Sequence, residues 1–490
     1  MPEVDAIVVG SGPNGLAAAV TLARAGLSVT VYERAATIGG GARTTELTLP
    51  GFHHDVGSAI HPMALASPFF RAFGLAERIS LVVPELSYAQ PLDGGRSGIA
   101  WRDLGRTAAD LGADGAAWRR LFAPLVEQVD AIAEIAGSTL VRVPRHPLVL
   151  SRLGLRILEQ GMFGWNARFR DDTAPALLTG VIAHAIRRLP SISAAAAGMV
   201  LATHAHARGW PVPVGGSQSI TDALAADLVA HGGRIITDVA VTSLSDLPSA
   251  RAVVLDTSPR ALVSLAGAAL PDRYARVMRR FRYGNAVAKV DYALSGPVPW
   301  ADSRLAQAAT LHLGGSREET AAGEREVALD RMPRSPYVLV SQPSGFDPTR
   351  APLGQAVLWA YTHVPRGSTT DRTEAITAQI ERFAPGFRDT ILASASATAI
   401  DVERSNPNYI GGDISAGAVS LGQLVRRPTL FEPWRTPLKG LYLCSSATSP
   451  GPGVHGLGGW NAARSALRHE FGITTTPDLA PRSPLPEPFG

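Results

Sequence analysis

The chain has 490 residues, enough for about two to four domains, and its 46% hydrophobic and 18% charged residues describe a core-forming protein and exclude a disordered one. A formal net charge of +4, with no basic stretch interleaved with aromatics, gives no support for a nucleic-acid partner. The single cysteine, Cys444, excludes an intramolecular disulfide, a cysteine metal cluster and two-thiol redox chemistry within one chain, and no metal site is expected.

Residues 4–9 form a short apolar run rich in β-branched side chains, as in a buried parallel strand. It starts too early to leave room for a signal peptide, and no apolar run is long enough to span a bilayer, so cytoplasmic residence is expected. Gly10-Ser11-Gly12-Pro13-Asn14-Gly15 follows at once, a helical pattern opens behind it, and 28–33 reads as a second strand. In such a unit Gly10 makes the tight turn, Gly12 admits a pyrophosphate and Gly15 lets helix and strand pack closely. The helix N-terminus, opening at Pro13 and Asn14, offers free N–H groups to phosphate. Glu33, followed by Arg34, closes the second strand where a carboxylate accepts hydrogen bonds from ribose hydroxyls. Strand, loop, helix and acid agree, which favours a dinucleotide site over a purely structural βαβ unit.

A second glycine cluster, Gly39-Gly40-Gly41-Ala42-Arg43, suits a further contact to a diphosphate or ribityl group. This extension resembles the flavoproteins with two dinucleotide-binding motifs, which hold FAD. Residues 44–58 read as a strand, a turn and a return toward the cofactor through Asp55 and Gly57. His61, just beyond, is a catalytic candidate if it faces the flavin; the alternative is a packed turn residue.

Residues 67–187 are mostly helical in pattern. Within them, 145–170 mixes Leu148, Leu155, Leu158, Phe163 and Trp165 with Arg145, Arg152, Arg156 and Arg168, as an interfacial helix would. A buried helix pair with arginines at its ends is the favoured alternative, and peripheral membrane contact stays open. At 210–218 a second βα-like passage begins, with Ser217 or Ser219 as cap for a helix over 220–230. A strand from 234 that continues through 239–244, and another over 252–259, return to the first sheet. Period-two alternation at 283–294 sets Ala286, Ala288, Val290 and Tyr292 against Val287, Lys289 and Asp291. Residues 305–334 read as loop-rich and polar. Strands over 337–342, 356–363 and 391–397 and a helix over 370–384 complete a second domain, and the proline-rich 474–490 reads as a poorly ordered tail.

Near the C-terminus a strand over 440–444 leads into Ser445-Ser446-Ala447-Thr448-Ser449-Pro450-Gly451-Pro452-Gly453-Val454-His455-Gly456-Leu457-Gly458-Gly459 and a helix to about 471. Residues 451–456 fit GxGxxG, but prolines interrupt the approach and no second strand with a terminal acid follows. The stretch reads as a helix N-terminus aimed at the flavin, where its dipole stabilises negative charge.

Together GSGPNGLAAAVTLARAG, IGGGARTTELTLPGFHHDVGSAIHP, PVPVGGSQSITDAL, NPNYIGGDISAG and GLYLCSSATSPGPGVHGLGGWNAA span nearly the whole chain. They resemble the phytoene desaturase-like FAD-dependent oxidoreductases, relatives of carotenoid isomerases and retinol saturases, and especially the branch named for pyridine nucleotide-disulphide oxidoreductase domains. The resemblance implies FAD contacts from Gly10, Gly12, Pro13, Asn14, Gly15, Glu33, Arg34, Gly40, Gly41 and Arg43. It adds a backbone contact from Val241 at the adenine end and puts Gly453, Val454, His455 and Gly456 near the isoalloxazine, with His455 a further catalytic candidate. Ser445-Ser446 departs from the pattern, since many relatives carry an acid there. The strand bearing Lys289 is similar to one in flavin amine oxidases whose lysine reaches the flavin through water, although the spacing is off by one residue, which on a strand reverses the face.

The expected fold is therefore α/β: a discontinuous Rossmann-like FAD-binding domain (1–75, 208–282 and 430–472), a mostly helical insertion (76–207), a sheet-containing α+β substrate domain (283–429) and the tail (473–490). The expected function is desaturation, saturation or flavin-dependent isomerisation of a hydrophobic, carotenoid- or isoprenoid-like molecule. Dioxygen or a quinone is the expected electron acceptor, because no second nucleotide-binding unit is visible. The alternatives are amine or amino-acid oxidation on the same fold, and a non-catalytic lipid binder resembling Rab GDP-dissociation inhibitors.

Overall fold

The computed structural model describes residues 4–165 and 167–481. Five parallel strands make the first sheet, in the order Leu441–Leu443, Ala250–Leu255, Val4–Val9, Val29–Tyr32 and Arg234–Ile236. Parallel strands need covering on both faces, and their near-continuous apolar sequences reflect that. On one face lies the helix Pro13–Arg24, whose residues from Asn14 to Ala23 are all buried. Its Ala17, Ala18 and Ala19 have no bulk to hold a neighbour away, so the helix Leu457–Ala466 packs directly on it. A side chain at Gly459 would collide with the Asn14 carbonyl. On the other face Leu262, Leu265 and Met278 cover Ile7, Val9 and Leu255.

The second sheet has seven strands in the order Ile391–Ala397, Ala286–Leu294, Ala356–Val364, Val338–Ser341, Thr310–Leu313, Leu86–Leu92 and Arg96–Trp101. All neighbours are antiparallel except Thr310–Leu313 against Leu86–Leu92. The alternation at Ala286–Leu294 divides as its sequence predicts. Val290, Tyr292 and Leu294 pack against Ile376, Ile380 and Phe383 of the helix Thr373–Phe383. Val287 faces the other way with Leu339, Trp359 and Tyr361, toward the helices Thr173–Ala183 and Ile192–Ala207.

Several segments differ from the sequence reading. The region 76–207 is not only helical: Leu86–Leu92 and Arg96–Trp101 form a hairpin on the edge of the second sheet. Residues 305–334 carry the strand Thr310–Leu313 and the helix Arg317–Ala328, started by a capping box between Ser316 and Glu319. The strand at Arg234 stops at Ile236, and 239–241 run as loop along the cofactor cavity. Neither Ser217 nor Ser219 caps the helix Gln218–Ala230 through N–H; Ser217 donates to the Ser58 carbonyl and Ser219 to the Gly216 carbonyl. Leu479 is buried in the first core, so the chain remains packed past 474; residues 482–490 of the expected tail lie outside the described residues. The helix Pro147–Gly161 is not one of a buried pair. Val149 and Leu153 are buried, but Leu148, Leu155 and Phe163 just after it are 75%, 66% and 100% exposed. Among the described residues no helix is long and apolar enough to cross a membrane.

Candidate functional site

A single cavity of about 1110 Å³ runs from the carboxyl ends of the parallel strands to the inner face of the second sheet. Ligands gather at that end of a parallel sheet because the strand termini and helix N-termini leave a crevice there. Gly10, Gly12, Pro13, Asn14, Glu33, Arg34, Gly40, Gly41, Arg43, Val241, Gly453, Val454, His455 and His61 all line it. Gly15, Gly456 and Lys289 do not.

The glycine loop is built as a cradle. Gly10 has φ +99°, and a side chain at Gly15 would strike the Gly10 carbonyl oxygen, so this pair sets how closely the helix meets the strand. A Cβ at Gly12 would sit 2.7 Å from Asp256 Oδ2, and one at Gly40 would sit 3.1 Å from the Gly12 Cα, leaving bare backbone facing the cavity from two sides. Glu33 is held ready: Oε2 accepts from the Ser11 N–H (2.9 Å) and hydroxyl (2.7 Å), and Oε1 accepts from the Ala35 N–H (2.8 Å). Asn14 Oδ1 is buried with no partner among the described residues. Arg43 donates to the Gly40 (3.0 Å) and Ser405 (3.1 Å) carbonyls, which pins the second glycine turn. An elongated dinucleotide with a diphosphate at its centre fits this channel.

Asp256, at the end of the strand Ala250–Leu255, was not singled out from sequence. Its Oδ2 accepts the Gly15 N–H at 3.0 Å, and it lines the cavity. Burial and the nearby Glu33 raise its pKa to about 7, opposed by the Gly15 hydrogen bond. The available signal was an acid at the carboxyl end of a buried parallel strand. Tyr409, whose phenol presses against Gly41, is a second lining residue of the same kind, with its pKa raised to about 12 by burial and neighbouring Asp256. Ser445 is occupied in donating to the Thr257 carbonyl (2.7 Å), so Ser446 is the hydroxyl left beside the cavity in place of the expected acid.

The three catalytic candidates separate clearly. His61 is buried against the cavity, and its Nε2 lies 2.7 Å from Ser217 Oγ. Because Ser217 gives its own proton to the Ser58 carbonyl, Nε2 carries the hydrogen and Nδ1 is left as a bare acceptor with no partner among the described residues. Burial chiefly, with Arg350, holds the His61 pKa at about 4, with Asp55 opposing, so the ring is neutral at pH 7. His455 has no free nitrogen: Nε2 faces the Gly451 carbonyl (3.2 Å) and Nδ1 accepts the Leu457 N–H (3.1 Å), so it secures the start of the last helix. Gly456 packs on Phe69 and not on the cavity.

Lys289 lies one layer behind the wall. Its Nζ donates to Asp291 Oδ2 (2.5 Å) and the Asp55 carbonyl (2.9 Å). Asp55 in turn pairs with Arg350 (2.5 Å) and accepts from the Ser217 N–H and the Thr44 hydroxyl. Burial lowers the Lys289 pKa and raises that of Asp291 to about 6, while each partner's charge opposes the shift. This network fixes the segment that passes the cavity at Gly57 and Ser58.

Much of the rest of the cavity is apolar. Leu150, Leu153 and Ile157 of one helix, Leu201 of another, and Leu339, Trp359 and Tyr361 of the second sheet line it. The sheet residues went unnoticed in sequence, although the alternation around Lys289 marks the face on which their cross-strand partners lie.

The family model for flavin containing amine oxidoreductase matches residues 14–467. The rat protein named pyridine nucleotide-disulfide oxidoreductase domain-containing protein 2 (Rattus norvegicus) is 27% identical, over 95% of this chain and 94% of that one. An uncharacterized protein of Mycobacterium tuberculosis is also 27% identical, over 95% of this chain and 97% of its own. Among solved structures, putrescine oxidase bound to putrescine aligns with a TM-score of 0.58 at 19% identity, covering 96% of this chain and 98% of that chain. Cyclohexylamine oxidase from Brevibacterium oxydans aligns with a TM-score of 0.56 at 14% identity, covering 96% and 99%. At such identities the structural likeness speaks for the fold.

Proposed function

The chain belongs to the flavin containing amine oxidoreductase family, with FAD as its cofactor, and from that premise we propose that it oxidises, reduces or isomerises a hydrophobic unsaturated molecule of carotenoid or isoprenoid type. FAD, when bound, supplies the two-electron chemistry. The observation that carries the reading is the lining beyond the glycine loops. Among the described residues the acids on the cavity wall are Glu33, Asp256 and Glu403; Glu33 is bound to Ser11, Asp256 to Gly15 and Glu403 to the Gly411 N–H. None stands among Leu153, Ile157, Leu201 and Trp359, so an ammonium there would be buried without a counter-charge, at high cost. That argues against amines. The apolar wall excludes water and orients an apolar substrate, and His61 Nδ1 offers a neutral proton acceptor. In the oxidative direction dioxygen or a quinone takes the two electrons; in the reductive direction a two-electron donor must supply them, and isomerisation needs neither in net. Anaerobic mixing of the flavin-loaded protein with polyene and amine panels tests it: bleaching of the visible flavin absorbance by a polyene supports it, and bleaching by amines alone rejects it.

The helix Pro147–Gly161 favours a lipid surface as the source of that substrate. Leu150 and Ile157 reach the cavity, whereas exposed Leu148, Leu155 and Phe163 stand among Arg145, Arg152 and Arg156. Apolar side chains flanked by arginines suit insertion among anionic headgroups.

A further inference from the structure

The cavity face of the seven-stranded sheet carries one cross-strand row of polar residues. Asp291 pairs with Trp359, Trp359 with Ser341, and Ser341 with Thr310. Adjacent strands are about 4.8 Å apart, so the backbone positions of the last three residues span about 10 Å. All three line the cavity, and Trp359, Ser341 and Thr310 are only 7%, 0% and 2% exposed. Yet Trp359 Nε1, Ser341 Oγ and Thr310 Oγ1 have no hydrogen-bond partner among the described residues. Buried polar atoms are nearly always paired, and one left alone carries its full desolvation penalty. A single orphaned hydroxyl in a strand is unremarkable; three in register on a cavity wall form a matched set.

The chemistry of the set defines its ligand. The indole N–H only donates, and the two hydroxyls donate or accept. Among the described residues, no charged side chain of this row lines the cavity. Asp291, at the end of the row, is bound to Lys289, whose ammonium lies 5.7 Å from the Trp359 ring centroid; neither lines the cavity. A pure hydrocarbon would leave all three polar atoms unsatisfied. An ammonium would face the indole donor without a carboxylate, and a carboxylate would lack a free cation. An uncharged oxygen, as a carbonyl or hydroxyl, accepts from Trp359 and completes Ser341 and Thr310, while Leu339 and Tyr361 in the adjoining row hold the apolar body.

We propose that Trp359, Ser341 and Thr310 form a specificity subsite for an uncharged oxygen function on an otherwise apolar substrate. This rests on the reading of the cavity as a substrate site, and it narrows the substrate from an unsaturated hydrocarbon to an oxygenated one.

The test measures dissociation constants of the FAD-loaded protein by calorimetry for four ligands sharing one skeleton: farnesene, farnesol, farnesylamine and farnesoic acid. Farnesol binds about ten-fold or more tightly than the other three, the size expected for one or two well-made buried hydrogen bonds. Ser341→Ala and Thr310→Val each reduce that advantage several-fold and leave farnesene unchanged. Trp359→Phe does the same where its melting curve matches the parent, and the two smaller replacements carry the test where it does not. Equal binding of farnesene and farnesol overturns the proposal, as does tightest binding of the amine or the acid, equal weakening of all ligands by the substitutions, or no binding of any of the four. Binding is read without turnover, so failure of the flavin to be reduced by any polyene would defeat the proposed reaction while leaving this selectivity intact. Reduction by hydrocarbons with no preference for oxygen would do the reverse.

Discussion

Replacing Asp256 by asparagine keeps an oxygen for the Gly15 N–H but removes a carboxyl whose charge the site opposes. An aspartate raised from 3.8 to about 7 by burial binds its proton more tightly folded than unfolded. Its contribution is therefore fully favourable below the unfolded value and is lost as pH rises through the folded one. At 1.36 kcal/mol for each pH unit between the two values, wild type loses roughly 4 kcal/mol relative to Asp256→Asn between pH 4 and pH 8. At roughly 2.1 cal/mol/K per residue, unfolding 490 residues carries about 1 kcal/mol/K of entropy, so the variant should melt about 4 °C higher at pH 8 and within about 1 °C at pH 4. A bound diphosphate would strengthen the effect, and the variant should then retain FAD better through dialysis at pH 8. Melting curves of both proteins at the two pH values decide the matter. An asparagine variant no more stable at pH 8, or equally stabilised at both, would refute the raised pKa of the Asp256 carboxyl at the glycine loop.

Lys289→Met leaves Asp291 buried without its cation and should lower stability by about 3–5 kcal/mol, whereas adding Asp291→Leu should restore most of it; urea titrations of both variants check this. Gly459→Ala sets a methyl against the Asn14 carbonyl and should destabilise by at least about 1–3 kcal/mol while releasing FAD, measured as flavin in the filtrate after ultrafiltration. Leu155→Ser with Phe163→Ser should abolish flotation with anionic liposomes and leave FAD content unchanged; flotation that survives both changes rejects the lipid contact.

The nucleotide half of the site was legible because its constraints are local. Gly10, Gly12 and Gly15 act within one turn of chain, and Glu33 closes the same βαβ unit. The other half depends on contacts distant in sequence. Asp256 matters because its strand lies beside Val4–Val9, and no periodicity reports which strands are neighbours. The hairpin Leu86–Trp101 reads poorly because it carries Pro91 and a Gly94-Gly95 turn and borrows its stability from the sheet edge it joins. His455 illustrates the opposite error: a histidine in a glycine-rich loop suggests chemistry, but both nitrogens are taken by its own turn. The polar row of Trp359, Ser341 and Thr310 draws one residue from each of three strands, and only the register assembles it.

The first sheet is stitched from segments far apart in the sequence. Its central strand, Val4–Val9, is synthesised long before its edge strand Leu441–Leu443 and the covering helix Leu457–Ala466. Pairing across so long a separation is slow, and apolar strands left waiting are prone to aggregate. During synthesis the glycine loop therefore exists for most of the time without the helix that packs behind it. A chain terminated before the helix Leu457–Ala466 would leave the face built from Ala17, Ala18 and Ala19 uncovered.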